Sequence, residues 1–295
     1  MKRKILLALL FFNSICFAQI ENIELPKEGV DKFDKNVKHY TIHITSNVEV
    51  FFNEKKVLFW DQISNNILEE IRIPKMNAVQ DILIYADKKL DYYIVERIRW
   101  EIGKVWEGYI HYMGNTIKDK NCLSFYIQGS PLSQKKYRDT NWTYGYNLIF
   151  TDKQRRLEED VVFSKVRASV EWPVFAVWQS NLLSHFYDGD VKLIKRFLND
   201  ANYEGISIQS KEHFLLNSEK ISFKDEKIKD LINANDILFI EINNINYNSY
   251  FNAMINIQNK RYKRENHGAL RKPFIIEIPY IYQEELKKKG LNLFN

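Results

Sequence analysis

Two aspartates and a tyrosine follow a short apolar run and are the first candidates for binding chemistry. Asp87 comes directly after the run at residues 82–86, and Asp91 and Tyr92 follow within five residues. Side chains at the carboxyl ends of strands often meet ligands in α/β sheets, and paired carboxylates can exchange protons. Alternatively, Asp87 forms a turn or caps the next helix by accepting hydrogen bonds from its free amides. We predict Asp87 and Tyr92 as binding residues and assign no catalytic residue.

Three aromatic residues form a second candidate surface. Trp142, Tyr144 and Tyr146 alternate along the chain, so on a strand their rings share one face. Polar and charged residues at 135–141 precede them, and flat rings beside hydrogen-bonding groups suit a sugar face or a peptide. The alternative is that the three rings simply form the core face of that strand.

The sequence offers little to a metal or a cofactor. His39 and His43 would lie about 13 Å apart on an extended chain, which is too far to share an ion. The Asp188-Gly189-Asp190 triplet resembles the start of a calcium loop, but the residues after Asp190 predict a helix with that aspartate as its N-cap. We expect no metal site and no bound cofactor.

The N-terminal residues 1–18 have the pattern of a signal peptide. A basic start precedes an apolar run at 5–12 and a junction before Gln19, and the run is shorter than the roughly 20 residues that span a membrane. Removing this leader takes three basic residues from a net charge of +5 and leaves Cys122 as the lone cysteine. The low remaining charge gives little support to nucleic-acid binding. We expect a periplasmic protein, with secretion as the alternative.

The first candidate site belongs to a predicted unit of strands and helices. Residues 48–52 and 57–59 flank a polar turn and predict a β-hairpin. A helix should begin at Asp61, followed by a strand at 82–85, a helix at 93–105 and a strand at 109–113.

The same pattern recurs later in the chain. Seven residues of the first unit return with an offset of 164, and Asp81-Ile82-Leu83 and Tyr92 return with an offset of 155. This second unit should close with a strand at 274–278, after a solvated basic loop at 260–264. The seven pairs are Ile42/Ile206, Ile44/Ile208, Ser46/Ser210, Asn53/Asn217, Lys56/Lys220, Phe59/Phe223 and Asp61/Asp225.

The repeat predicts the domain organisation. The signal peptide at 1–18 precedes a first unit at 19–114, an inserted α/β region at 115–204 and a second unit at 205–295. The insert should hold strands at 123–128 and 143–150. The expected class is α+β, with each unit packing its helices on one face of a mixed sheet.

The first unit resembles the periplasmic domain of the ExbD/TolR family. The resemblance covers residues 39–113 and rests on the turn at 53–57, the helix opening at Asp61, and an Ala-Asp-Lys stretch at 86–88 followed by Tyr92 and Val95. It implies partner binding through sheet edges, or peptidoglycan binding. Motor members of the family carry an intramembrane aspartate, whereas residues 5–18 contain no carboxylate, which indicates a relative that does not move protons.

These observations favour a non-catalytic binding or scaffolding protein of the bacterial envelope, whose partner is an envelope protein or peptidoglycan. The alternative is a secreted hydrolase of envelope polymers with a site between the two units. A Ser/His pair within hydrogen-bond reach, or a cleft with two convergent carboxylates, would favour the hydrolase.

Overall fold

The structure is a computed structural model of the chain and has a mixed α+β fold. It describes residues 23–27, 29–34, 36–60, 62–72, 81–103, 105–106, 108–117, 120–127, 149–150, 186, 189–199, 201–262, 274–278 and 280–294. The predicted signal peptide at 1–18 lies outside these residues. Within them, none of the helices has the length and apolar character needed to cross a membrane.

The first half contains a hairpin followed by two crossover helices. Asn53 and Glu54 form the hairpin turn with φ of 45° and 68°, the two positive values that a type I′ turn requires. Strand β1 is antiparallel to β2 and parallel to β4, and β4 is parallel to β5. The elements are β1 (His39–Ile44), β2 (Val50–Phe52), β3 (Lys55–Val57), α1 (Gln62–Arg72), β4 (Asp81–Ala86), α2 (Tyr92–Gly103) and β5 (Gly108–Ile117).

The region between the halves adds strands to the same sheet. It contributes β6 (Lys120–Ile127), β7 (Ile149–Phe150) and α3 (Val191–Leu198). Strand β6 overlaps the strand predicted at 123–128, and β7 falls on the last two residues of the strand predicted at 143–150, whose other residues lie outside the described part of the chain. Asp190 caps α3, as predicted, because its carboxylate accepts a hydrogen bond from the Leu193 amide at 3.0 Å.

The second half repeats the strand order of the first. Its hairpin turn also has two positive φ angles, 49° at Asn217 and 65° at Ser218. Its elements are β8 (Tyr203–Ile208), β9 (His213–Leu216), β10 (Glu219–Ser222), α4 (Lys227–Ala234), β11 (Ile237–Ile242), α5 (Tyr247–Tyr262), β12 (Phe274–Glu277) and α6 (Tyr280–Lys288). Since α5 reaches Tyr262, the predicted basic loop at 260–264 is wrong for its first three residues, which are helical.

The described strands form two mixed five-stranded blocks joined through β6 and β7. The order across the 12-stranded sheet is β3-β2-β1-β4-β5-β6-β7-β12-β11-β8-β9-β10. The hairpin strands β3 and β10 therefore lie at its two ends.

Strand pairing corrects the register of the repeat by one residue. His39 pairs with Asp81, whereas Tyr203 pairs with Ile237, so β4 and β11 correspond with an offset of 237 − 81 = 156. The predicted match of Asp81 to Asp236 is therefore wrong in space. A shift of one residue matters because it moves every side chain to the other face of a strand.

One apolar core runs along one face of the sheet through both halves. Helices α1 and α2 pack there beside α4 and α5, as each unit was predicted to do. The opposite face is also covered, which the two-layer prediction missed. Helices α3 and α6 cover it in the second half, and Leu25 and Phe33 pack on it in the first.

Candidate functional site

Asp87 is a buried turn residue whose carboxylate binds backbone amides. It accepts hydrogen bonds from the amide of Glu24 at 3.0 Å and from the amide of Lys89 at 2.9 Å. Asp91 accepts from the Tyr93 amide at 2.9 Å and precedes α2. Asp87 thus holds the N-terminal segment against the end of β4, which agrees with the turn alternative.

Tyr92 leads to a buried polar cluster. The side chain is only 2% exposed, and its hydroxyl donates to Glu277 Oε1 at 2.5 Å and accepts from Arg99 Nη1. A partner therefore has no access to Tyr92 in this conformation.

The inter-half cluster, comprising Tyr92, Arg99, Tyr112, Tyr250 and Glu277, joins the two halves of the chain. Arg99 Nη1 donates to Glu277 Oε1 at 2.9 Å, and the Tyr250 hydroxyl donates to Glu277 Oε2 at 3.0 Å. Arg99 Nη1 also lies 3.3 Å from the Tyr112 hydroxyl. Two backbone hydrogen bonds also join the halves. The Tyr92 amide donates to the Ile245 carbonyl, and the Tyr247 amide donates to the Leu90 carbonyl.

Burial sets the protonation states in this cluster. It raises the pKa of Tyr92 and Tyr250 well above the usual range and that of Tyr112 to about 12, so these hydroxyls stay protonated. Burial lowers the pKa of Arg99, but Glu277 and the tyrosines outweigh it and hold that pKa well above its usual range. The cluster is thus a charged pair surrounded by hydroxyl donors, suited to fixing two halves together.

Glu96 borders the inter-half cluster, and its carboxyl is the group there whose pKa lies near neutral pH. Burial raises the pKa of its carboxyl to about 7, which Arg99 opposes and Glu277 reinforces. Its Oε1 lies 3.8 Å from Arg99 Nη2, too far for a hydrogen bond. Arg99 Nε and Nη2 and the Tyr247 hydroxyl are buried without a hydrogen-bond partner among the described residues.

A serine, a histidine and an aspartate lie together on the opposite face of the first-half sheet. His111 Nδ1 is 2.8 Å from Ser124 Oγ, and His111 Nε2 is 3.2 Å from Asp81 Oδ1. They come together because β4, β5 and β6 are adjacent and His111 pairs directly with Ser124. This is the Ser/His pair that we set as a criterion for a hydrolase, although it lies within one sheet and not between the halves.

An N-terminal strap, residues 29–33, covers this trio. Asp31 forms a β-bridge with Cys122, and its Oδ2 accepts from the Ser124 amide at 2.9 Å. The Phe33 ring lies 4.6 Å from the His111 ring. Gly29 allows this close approach, because a Cβ there would lie 2.3 Å from Cys122 N. His111 and Ser124 are consequently buried.

The β3 end of the sheet carries exposed apolar side chains. Leu58 and Phe59 directly follow β3 and are 73% and 67% exposed. Their amides both donate to Gln62 Oε1, at 3.0 and 3.3 Å, which fixes the backbone. At the other end, the corresponding Phe223 is only 3% exposed, because its amide donates to the Glu212 carbonyl and its ring packs 5.0 Å from Phe214.

The remaining predicted residues have different outcomes. Trp142, Tyr144 and Tyr146 lie outside the described residues, as does Asp61, so those predictions stay open. The part of the chain that the structure describes contains no group of three or more His, Cys, Asp or Glu side chains that could hold a metal ion.

Arg99 and Glu277 were not predicted from the sequence as functional residues. The sequence pattern does mark both residues as charges in apolar surroundings. Arg99 lies on the same helix face as Val95 and Ile102, and Glu277 interrupts an apolar closing strand. A charge inside an apolar pattern indicates a buried partner, but not which one.

The ExbD/TolR resemblance of residues 39–113 rests on sequence motifs that fall on the first hairpin, β4 and the start of α2. That resemblance stays a prediction. Comparison of the chain with family models, curated proteins and solved structures finds no match.

Proposed function

We propose that this chain is an exported, non-catalytic scaffolding protein of the bacterial envelope that binds a partner protein by strand addition at β3. The observation that carries the proposal is the exposed Leu58 and Phe59 pair beside an end strand of the sheet. The apparent signal peptide and the ExbD/TolR resemblance support the envelope location and the binding role.

The geometry of β3 suits strand addition. Its only described neighbour is β2, and the two-residue turn makes Phe52 and Lys55 the first hydrogen-bonded pair of the hairpin. The next pair, Phe51 and Lys56, is then non-hydrogen-bonded, so the amide and carbonyl of Lys56 face outward. An incoming strand can bond to these groups and gain affinity through the main chain.

The other end of the sheet lacks the exposed apolar pair. Phe223 is buried beside β10, whereas Leu58 and Phe59 are exposed beside β3. This asymmetry favours β3 over β10 as the docking edge.

A pair of proline substitutions tests the proposal. Lys56→Pro removes the outward amide of β3 and should reduce crosslinking to an envelope protein from a photoreactive group at position 54 by about tenfold or more. Lys220→Pro makes the equivalent change on β10 and should leave that crosslinking unchanged. Equal crosslinking in both variants would refute strand addition at β3.

A double serine substitution tests the apolar contribution. Leu58→Ser/Phe59→Ser should lose the same crosslinked product when the photoreactive group is at position 54. Val37→Ser/Tyr203→Ser removes exposed apolar side chains elsewhere and serves as its control.

The second candidate function is a hydrolase, supported by the Ser124-His111-Asp81 trio. Ser124 Oγ would attack an ester carbonyl while His111 Nδ1 takes its proton, and Asp81 would hold the imidazole through Nε2–H. Release of the alcohol and attack by water on the acyl-serine would complete the reaction. The strap must move first, because it covers the serine.

A fluorophosphonate probe tests this second candidate. Labelling of Ser124 should increase in Phe33→Ala, which loosens the strap, and should disappear in Ser124→Ala. Absence of labelling in folded Phe33→Ala would exclude the hydrolase at this position.

A further inference from the structure

We propose that the partner segment at β3 is an acidic, extended stretch of another protein with an apolar residue placed to cover Leu58 and Phe59. The inference rests on the proposed function and adds the chemistry of the partner.

The charge of β3 favours an acidic neighbour. Lys55 and Lys56 are consecutive and exposed on a three-residue strand. Lys56 pairs with Glu49, whereas Lys55 has no ion pair among the described residues. Because successive side chains point to opposite faces, the two ammonium groups flank the edge on both sides. Carboxylates of an added strand would lie opposite them.

The same lysines disfavour pairing with a second copy of this chain. Two β3 strands paired antiparallel about Lys56 would place the Lys56 side chains of the two copies opposite one another. Like charges opposite one another oppose pairing, and lysines on edge strands commonly prevent self-association. Lysine repulsion therefore disfavours self-pairing in this register, and a strand of the opposite charge is favoured.

The apolar pair supplies the second part of the recognition. Gln62 Oε1 accepts from the amides of both Leu58 and Phe59, so the turn that presents these side chains is already ordered. A partner then loses little entropy in ordering this surface. The second half has no equivalent exposed apolar pair, since Ser222 takes the place of Leu58, and Phe223, in the place of Phe59, is buried.

Two designed peptides provide the test. One alternates glutamate with valine, the other alternates lysine with valine, and both carry the same fluorophore for anisotropy measurements on the mature chain. The acidic peptide should bind about tenfold more tightly. Its affinity should fall as salt rises from about 50 to about 300 mM, because the charges are exposed.

Charge reversal identifies the residues responsible. Lys55→Glu/Lys56→Glu should reverse the peptide preference, while Lys220→Glu in the second half should leave it unchanged. Lys55→Gln/Lys56→Gln should remove the preference for the acidic peptide. This variant replaces the charge-reversed one if circular dichroism shows that Lys55→Glu/Lys56→Glu does not fold.

The outcomes separate this inference from the proposed function. If the wild type bound both peptides equally and Lys56→Pro bound neither, the acidic partner would be overturned and strand addition would remain supported. Acidic-peptide binding that persists in Lys56→Pro would overturn both. A β3-to-β3 crosslink between two wild-type chains would show that the partner is a second copy and would also overturn the acidic partner.

Discussion

At the scale of single residues, the buried pair of Arg99 and Glu277 fixes how the two halves meet. Both charges are removed from water, and a buried ion pair adds little net stability because desolvation offsets the attraction. Losing one partner is costly, since it leaves an unpaired buried charge. The value of the pair therefore lies in alignment: a shifted contact between α2 and β12 would leave both charges unpaired.

A double-mutant cycle tests this view. Glu277→Leu and Arg99→Met should each reduce the free energy of unfolding by about 3–5 kcal/mol. Arg99→Met/Glu277→Leu should cost less than either single change, because no buried charge remains. Met254, at the place in α5 that corresponds to Arg99 in α2, shows that methionine fits such a position. Urea unfolding measures all three, and additive losses would contradict the explanation.

Glu96 should give the stability of the protein a specific pH dependence. Burial raises its pKa from 4.5 to about 7 in the folded chain, so between these values the folded state holds a proton that the unfolded state has released. The resulting stabilisation is complete below about pH 4.5 and is lost as pH rises through 7, a change of about 3 kcal/mol. Arg99, Glu277 and Asp91 are the charged groups that act on it.

Urea unfolding between pH 5 and 8 measures this effect. Stability should fall with increasing pH in the wild type, and Glu96→Gln should remove that part of the slope. Glu226→Gln, a change at an exposed carboxylate whose pKa is lowered, is the control and should retain it. Identical slopes in Glu96→Gln and the wild type would show that this carboxyl titrates normally.

Only part of this site could be predicted from residues. Tyr92 was predicted to bind, and its hydroxyl does form a specific contact, but with Glu277, 185 positions away in the same chain. Local spacing contains no information about so distant a partner. The role of Asp87 was easier to predict, because an aspartate at the end of a strand most often accepts hydrogen bonds from nearby backbone amides.

At the scale of elements, the position of the strap depends on a single glycine. Gly29 lies against the backbone of β6, where a side chain would overlap Cys122 N and O at 2.3 and 2.4 Å. The strap in turn covers Cys122, which is fully buried. Strap position can therefore be measured through the reactivity of this thiol.

Gly29→Ala should displace the strap and expose Cys122 to a thiol reagent. We expect labelling of Cys122 at least about tenfold faster than in the wild type, because reaction would no longer require the strap to open. Gly205→Ala is the control: its Cβ would overlap Leu293 O at 1.9 Å, far from Cys122. Equal labelling rates in wild type and Gly29→Ala would show that the strap tolerates the added methyl group.

The hairpins show why some elements were predictable and others were not. The polar turn between residues 52 and 57 predicted the first hairpin, and Asn53 and its repeat counterpart Asn217 both have positive φ angles. The register of β11 was wrong by one residue because the match followed identical residues, whereas the sheet follows the alternation of buried side chains. Face assignment is the stronger constraint, since Leu238 and Ile240 share the core with Ile82 and Ile84.

At the scale of the whole molecule, the continuous core distinguishes this chain from two tethered domains. The sequence predicted two separate units, and the pattern of each half does contain its own hairpin and crossovers. It could not reveal that α2 and α5 pack together, because their shared contacts join residues from both halves. The two halves should therefore unfold together.

Matched core substitutions test this cooperativity. Ile84 and Ile240 occupy equivalent places, opposite Ile42 in β1 and Ile206 in β8, and both are fully buried. Alanine at either position should reduce the free energy of unfolding by about 2–5 kcal/mol. Because one core and the Arg99–Glu277 pair connect the halves, each substitution should reduce the hydrogen-exchange protection of β1 and of β8 by the same amount. If Ile240→Ala lowered protection in β8 and left β1 unchanged, the halves would be independent folding units, and the inter-half cluster would be a contact between domains that does not couple their stability.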